Sequence, residues 1–203
     1  MIDVDVFSKA GIGKSNEDYV VHSEIAPDIS LIVVCDGMGG LSYGAEASKI
    51  IANSIENHLK QNLCSHTPEQ SIINALHYAN DGLAKVCIRL KSKMGASVAL
   101  TLFVGNACYY TWLGDVRIYH RQDDVLELLT KDHLAIEGNH SFITRCINGK
   151  DFRTPPKIEQ LSMRSGEEIY IVTDGYYLYN EIGSATHLEI KIVDDATCIT
   201  IKP

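Results

Sequence analysis

The stretch Ser30-Leu31-Ile32-Val33-Val34-Cys35-Asp36-Gly37-Met38-Gly39-Gly40 constrains the chain most. An apolar run of strand length stops on an acid, and glycines crowd the next four positions. A short apolar run bounded by turn residues reads as a buried strand. The acid therefore sits where a rigid element ends and can aim it. The glycines let the backbone turn tightly and approach a ligand closely. One Asp-Gly after a strand is ordinarily a turn. A functional reading needs other acids placed the same way.

They recur along the chain. Ile2, Val4 and Val6 alternate with Asp3 and Asp5, as in a half-buried strand. Gly11-Ile12-Gly13-Lys14-Ser15 reads as a loop with no GxxxxGK[ST] match, so it is not a P-loop. Asn16-Glu17-Asp18 leads into a short strand at Tyr19-Val20-Val21. Ser42 is a candidate cap for a helix ending near Leu63, with Ala45, Ala47, Ile50, Ile51, Ile55 and Leu59 on one face. Pro68 and Glu69 open a second helix with Ile72, Ile73, Leu76, Ala79, Leu83, Val86 and Leu90 at helical spacing. The simplest arrangement is an antiparallel helix pair on one sheet face. His58, His66 and His77 read as surface or satisfied core histidines.

From Gly95 the pattern becomes β-rich. Strands are expected at Ala96–Val104 and Ala107–Leu113, joined by a tight turn at Gly105-Asn106. Gly114-Asp115 interrupts before strands at Val116–Arg121 and Val125–Leu129. Residues Lys131 to Pro156 read as irregular, with one short helix around Ser141 to Cys146. A strand at Glu168–Thr173 ends on Asp174-Gly175, repeating the design at Asp36-Gly37. Leu188, Ile190 and Ile192 alternate, Asp194-Asp195 follows, and Ala196–Ile201 forms a last strand.

Acids thus stand at strand ends or between strands at Asp36, Asp115, Asp174 and Asp194, with Glu17 and Asp18 just before another strand. Carboxylates without Cys or His companions suit a hard cation with oxygen ligands, Mg²⁺ or Mn²⁺ rather than zinc. Clustered without a cation, they would repel one another. Two such metals ~3.5–4 Å apart favour hydrolysis of a phosphate ester, by lowering the pKa of a water and polarising phosphoryl oxygens.

Composition narrows the rest. At 203 residues, 45% hydrophobic and 22% charged, the chain is expected to be a single globular domain over 1–203. No apolar run nears the ~18 residues of a membrane span, and the first residues carry no secretory-signal pattern. The cysteines Cys35, Cys64, Cys87, Cys108, Cys146 and Cys198 are scattered, without CxxC spacing. That implies a reducing, cytoplasmic setting with no disulfide framework and no zinc site. A net charge of −8 argues against nucleic acid or anionic membrane as partner.

Taken together, the motifs resemble the metal-dependent serine/threonine protein phosphatases of type 2C, in their compact bacterial form. The resemblance runs from Gly11 to Ile201 through Asn16-Glu17-Asp18, Val34-Cys35-Asp36-Gly37-Met38-Gly39-Gly40, Gly44-Ala45-Glu46-Ala47-Ser48 and Gly95-Ala96-Ser97. It continues through Leu113-Gly114-Asp115-Val116-Arg117, Leu129-Thr130-Lys131-Asp132-His133, Val172-Thr173-Asp174-Gly175 and Asp194-Asp195-Ala196-Thr197. It implies an α+β fold, the αββα four-layer sandwich, with two antiparallel sheets face to face and a helical pair outside each. It implies two metal ions, Mn²⁺ or Mg²⁺, with provision for a third. Asp36 would bridge two metals and the Gly37 carbonyl would complete one shell. Asp174 and Asp194 would hold the other metal, and Asp115 with Asp174 the third. Glu17 would act through metal-bound water, and Asp18 would orient water. The nucleophile would be a bridging water or hydroxide, with no phosphoenzyme. The implied partner is a phosphorylated protein, a kinase or a kinase's target, met by a monomer.

Several departures bear on activity. The family usually has an arginine where this chain has Gly13; Lys14 beside it is the candidate phosphate contact, as a point charge without arginine's fork. A Gly13→Arg change is expected to tighten phosphate binding if the loop keeps the family course. Met38 stands where some relatives have a histidine acid, leaving solvent or His133 as proton source. The flap between Asp132 and Glu168 and the segment Tyr176–Val193 are short, leaving a more open cleft. The alternatives are a catalytically weak relative serving as a metal-supported regulatory module, and a hydrolase of a small phosphate ester.

Overall fold

The computed structural model describes residues 2–38, 43–138, 140–183 and 190–203. The elements run β1 (Asp3–Lys9), β2 (Asp18–Ala26), β3 (Ile29–Gly37), α1 (Gly44–Asn62), α2 (Pro68–Leu90), β4 (Ala96–Val104), β5 (Ala107–Leu113), β6 (Arg117–Gln122) and β7 (Val125–Leu128). After these come β8 (Leu134–Glu137), β9 (His140–Ile143), β10 (Glu159–Ser162), β11 (Glu168–Val172), the single-turn α3 (Asp174–Tyr177) and β12 (Ala196–Lys202).

Two five-stranded antiparallel sheets form the body. The first has the order β10-β5-β4-β3-β2, the second β1-β12-β11-β6-β7. Side chains alternate between sheet faces, and this parity explains why β3 reads as a continuous apolar run. Leu31, Val33 and Cys35 pack under α1 and α2 with Ile51, Ile55, Leu59, Ile72, Leu76 and Leu83. Ile32 and Val34 point the other way and meet Ile118, Ile169, Ile171, Ile199 and Ile201 of the second sheet. A strand covered on both faces has no solvent side on which to place polar residues.

The outer face of the second sheet is covered more lightly. Phe7, Tyr170, Val172, Tyr176 and Cys198 form a small cluster there, with Ile182, Ile190 and Ile192 packed against it. Among the described residues α3, a single turn, is the only helix on this side. Ile190 and Ile192 serve this cluster without strand pairing; Leu188 lies outside the described residues.

Several local expectations change. The short helix expected around Ser141–Cys146 is instead strand β9, paired with β8 in a separate hairpin (Leu134↔Ile143, Ala135↔Phe142). Phe142, Ile143 and Thr144 are aromatic or β-branched and favour extended backbone over a helix this short. β10, absent from the sequence reading, pairs with the edge of β5; its burial is too partial for the apolar pattern to show. The second strand begins at Asp18 and runs to Ala26, beyond Val21. Ser42 lies outside the described residues, and α1 follows a left-handed Tyr43 with no side-chain cap. By contrast α2 is capped as its Thr67-Pro68 start suggests, Thr67 Oγ1 accepting from the Gln70 amide. Cys35, Cys108 and Cys198 are buried in strands with free thiols.

Candidate active site

The inter-sheet stripes change from hydrocarbon to polar oxygen at one end of the sandwich. On β3 the row Ile32, Val34 continues to Asp36. On β11 the row Ile169, Ile171 continues to Thr173, and on β12 Ile201 and Ile199 are followed by Thr197 and Asp195. Register brings these ends together: Asp18 is paired with Asp36, and Asp36 with Ser97. Carboxylates at the ends of both sheets therefore face one cleft of about 510 Å³. Glu17, Asp36, Asp115, Asp174, Asp194 and Asp195 line it with Lys14, Gly37, Met38 and Ser97.

Asp18 lies beneath that cleft and ties the two sheets together. Its Oδ2 accepts hydrogen bonds from Thr173 Oγ1 at 2.9 Å and Thr197 Oγ1 at 2.6 Å. Its Oδ1 is buried with no partner. Burial, the largest cause, pushes the Asp18 pKa up to about 7; the threonine hydroxyls oppose this, and the Asp195 and Asp174 charges add to it. Asp36 is raised well above the usual aspartate range, first by desolvation and then by Asp18, Asp174 and Asp115. Asp174 is raised by desolvation and by Asp115, and Glu17 by desolvation and Asp195.

Two acids have close side-chain partners. Asp194 Oδ1 accepts from Lys14 Nζ at 2.9 Å, and that bond holds its carboxyl below the usual range. Lys14, expected to meet substrate phosphate, is thus paired with an expected metal ligand. Both side chains are more than half exposed, so the pair is weak and can exchange partners. Asp115 Oδ1 accepts from Ser97 Oγ at 2.7 Å. Gly114 makes that approach possible: at φ +110°, an added Cβ would lie 2.2 Å from Ser97 Oγ. Gly44 does the same for Glu17, whose carboxylate oxygens stand 2.7 Å from where a Cβ would be.

Sequence reasoning gave Asp195 no role, yet it fixes the loop that carries Lys14 and Glu17. Its Oδ1 accepts from the Gly11 amide at 2.7 Å and its Oδ2 from the Glu17 amide at 2.8 Å. Thr173, Thr197 and Ser97 were also given no part. Their strand-parity match to the inter-sheet stripe is the signal that would have found them. Gly13 has a φ of +75° with open space around its Cβ position. An arginine there would fit sterically but would strain the backbone, which tempers the gain expected from Gly13→Arg. His133, the alternative proton donor, does not line the cleft. Its Nδ1 accepts from the Gly114 amide, and its Nε2 lies 3.2 Å from Arg145 Nη1.

Among the described residues no three of these side chains converge as a finished metal cage; the acids share the cleft but turn to separate partners. The donor set nevertheless fits a hard divalent cation. It is all oxygen, burial and the neighbouring acids make negative charge costly on Asp36 unless a cation offsets it, and one buried carboxylate oxygen has no donor.

The chain is similar to known proteins in sequence and in fold. The curated relatives include a putative protein phosphatase of Mycoplasma genitalium, 28% identical over 136 residues, which cover 62% of this chain and 52% of that protein. They also include the serine/threonine protein phosphatase PstP of Mycobacterium tuberculosis, 24% identical, covering 90% of this chain and 37% of that protein. The chain therefore spans about half or less of the curated relatives it matches. Among solved structures, Stp1 of Staphylococcus aureus superposes with a TM-score of 0.85 at 20% identity, over 100% of this chain and 95% of that one. The fold is thus that of these phosphatases. The protein phosphatase 2C family profile matches residues 8–192, and the chain belongs to that family.

Proposed function

We propose that the chain is a metal-dependent hydrolase of phosphoserine and phosphothreonine on proteins, opposing a kinase. The observation that carries this reading is the single cleft in which six carboxylates from both sheets face one lysine. So many acids gathered in one cleft favour cations between them, and a phosphate monoester could not approach them otherwise. A manganese or magnesium pair, once bound, would polarise phosphoryl oxygens and supply a nucleophilic water at neutral pH. Asp36 and the Gly37 carbonyl, with Asp174, Asp194 and Asp115, would hold the cations, and Glu17 would accept from their water. Asp18 would orient water through its free Oδ1. Lys14 would leave Asp194 and meet the phosphate, as a point charge. The open cleft suits a protein surface better than a small ester. No described helix is long and apolar enough to cross a membrane, and the free cysteines fit a reducing compartment such as the cytoplasm, where the chain would act as a monomer.

The test is phosphate release from a phosphothreonine peptide, with and without Mn²⁺, beside the Asp36→Asn variant. Release that needs both metal and Asp36 is the expected result. Metal binding by calorimetry without turnover would overturn it in favour of a regulatory module, the reading favoured by Gly13 and the Lys14–Asp194 pair.

A further inference from the structure

A second cavity of about 470 Å³ adjoins the carboxylate cleft and shares Ile143 with it. Its charge is opposite. Arg145, Lys150 and Arg153 line it against one acid, Asp151. Its frame is braced from several directions. The Asn80 side chain on α2 accepts from the Gly149 amide at 2.9 Å and donates to the Lys150 carbonyl at 2.8 Å. Gly149, at φ +75°, lies so close to α2 that a Cβ would come within 2.8 Å of Ala84 Cα. Ile147 bridges to Ala96 of β4, and Phe152 packs edge-on to His77 of α2. Arg145 is consumed in the wall, donating through Nη2 to the Thr154 and Pro155 carbonyls. The side-chain charges of Lys150 and Arg153 have no ion-pair partner among the described residues, and both face solvent. Two uncommitted cations thus stand on a rigid frame beside a strongly acidic cleft, in a protein with a net charge of −8.

We propose that this cavity is a substrate subsite that receives an acidic side chain flanking the phosphorylated residue, with Lys150 and Arg153 as the recognising groups. The proposal rests on the phosphatase reading above and adds to it the class of phosphoprotein preferred. The adjoining cleft repels an acidic segment, whereas this cavity carries the opposite charge, so the subsite sets the side from which such a segment approaches.

The experiment compares three phosphothreonine peptides, with glutamate, alanine or lysine flanks, in Mn²⁺, on the wild-type chain and a Lys150→Glu/Arg153→Glu variant. A small aryl phosphate serves as control. The wild type should prefer the glutamate-flanked peptide to the alanine one by about 5- to 20-fold in kcat/KM, a preference that shrinks with salt. The variant should reverse the order toward lysine flanks while turning over the aryl phosphate at the wild-type rate. An unchanged peptide preference in the variant overturns the subsite. Should neither peptide nor aryl phosphate be hydrolysed, the phosphatase reading has failed instead. The subsite is then read by fluorescence anisotropy of the labelled glutamate-flanked peptide: weaker binding to the variant supports it, and equal binding to both proteins overturns it. A Lys150→Ala/Arg153→Ala variant, checked by thermal melting, separates lost attraction from introduced repulsion.

Discussion

The two sheets supply acids to the same cleft but hold them in different ways. Asp36 ends a strand flanked on both sides, by β2 and β4, with helices packed on one face and the second sheet on the other. It cannot move without moving the core, and its pKa is driven up. Asp194 lies two residues before β12, on the sheet whose outer face carries only the single turn α3 among the described residues. It is exposed, salt-bridged to Lys14, and its pKa is driven down. One half of the site is therefore a fixed, strained carboxylate, and the other an adjustable carboxylate already paired with a lysine. Rigid placement raises the energy of a charge that has no counter-ion; peripheral placement lets the charge find one.

The sharpest way to break this contrast is a pair of substitutions. Asp36→Asn should lower kcat by about 10³-fold or more, while raising the melting temperature of metal-free protein, because it removes a buried like charge. Asp194→Asn should cost activity about 10- to 100-fold and give no such gain in melting temperature. A stability gain for Asp194→Asn, measured by calorimetry in chelator, would erase the distinction. Gly44→Ala comes next: its Cβ would press on the Glu17 carboxylate, and we expect a loss of about 10-fold in kcat with the fold retained by circular dichroism.

The fixed half should also govern the pH response. Asp18 has a folded-state pKa of about 7 against an ordinary 3.8. The folded chain thus binds this proton more tightly than the unfolded chain. Its stabilising contribution is complete below the ordinary value and is lost as pH rises through the folded one. Metal-free protein should therefore melt roughly 5–10 °C lower at pH 7.5 than at pH 5. A melting temperature flat over that window would contradict the strained-carboxylate account. The smallest effect belongs to the adjustable half: Lys14→Ala should raise KM about 2- to 5-fold, with kcat little changed.

Most of the frame was legible because burial on both faces leaves an unambiguous trace. β3, β4, β5, α1 and α2 fall where their apolar spacing puts them, as do the acids that end strands. The lightly covered parts were harder. β10 and the β8–β9 hairpin are partly exposed, so their sequence carries little periodicity and tertiary pairing decides their state. At the site, Asp36, Asp115, Asp174 and Glu17 could be read from position and motif. Asp195 could not, since its role is to accept two backbone amides from a loop 178 to 184 positions away. Hydrogen bonds between distant segments have no local signature. The Lys14–Asp194 pair was hidden for the same reason.

The Asn80 amide has a bearing on how the chain folds. It joins α2 to residues 69 and 70 positions further on, so the segment around Gly149 can settle only after α2 is in place. Closing a loop of that length is entropically slow, while the two helices can form from local contacts. An Asn80→Ala chain is expected to assemble its helices and first sheet at the normal rate and to be delayed in the last step, the ordering of the segment 147–152. The cavity beside the carboxylate cleft would then be finished after its scaffold.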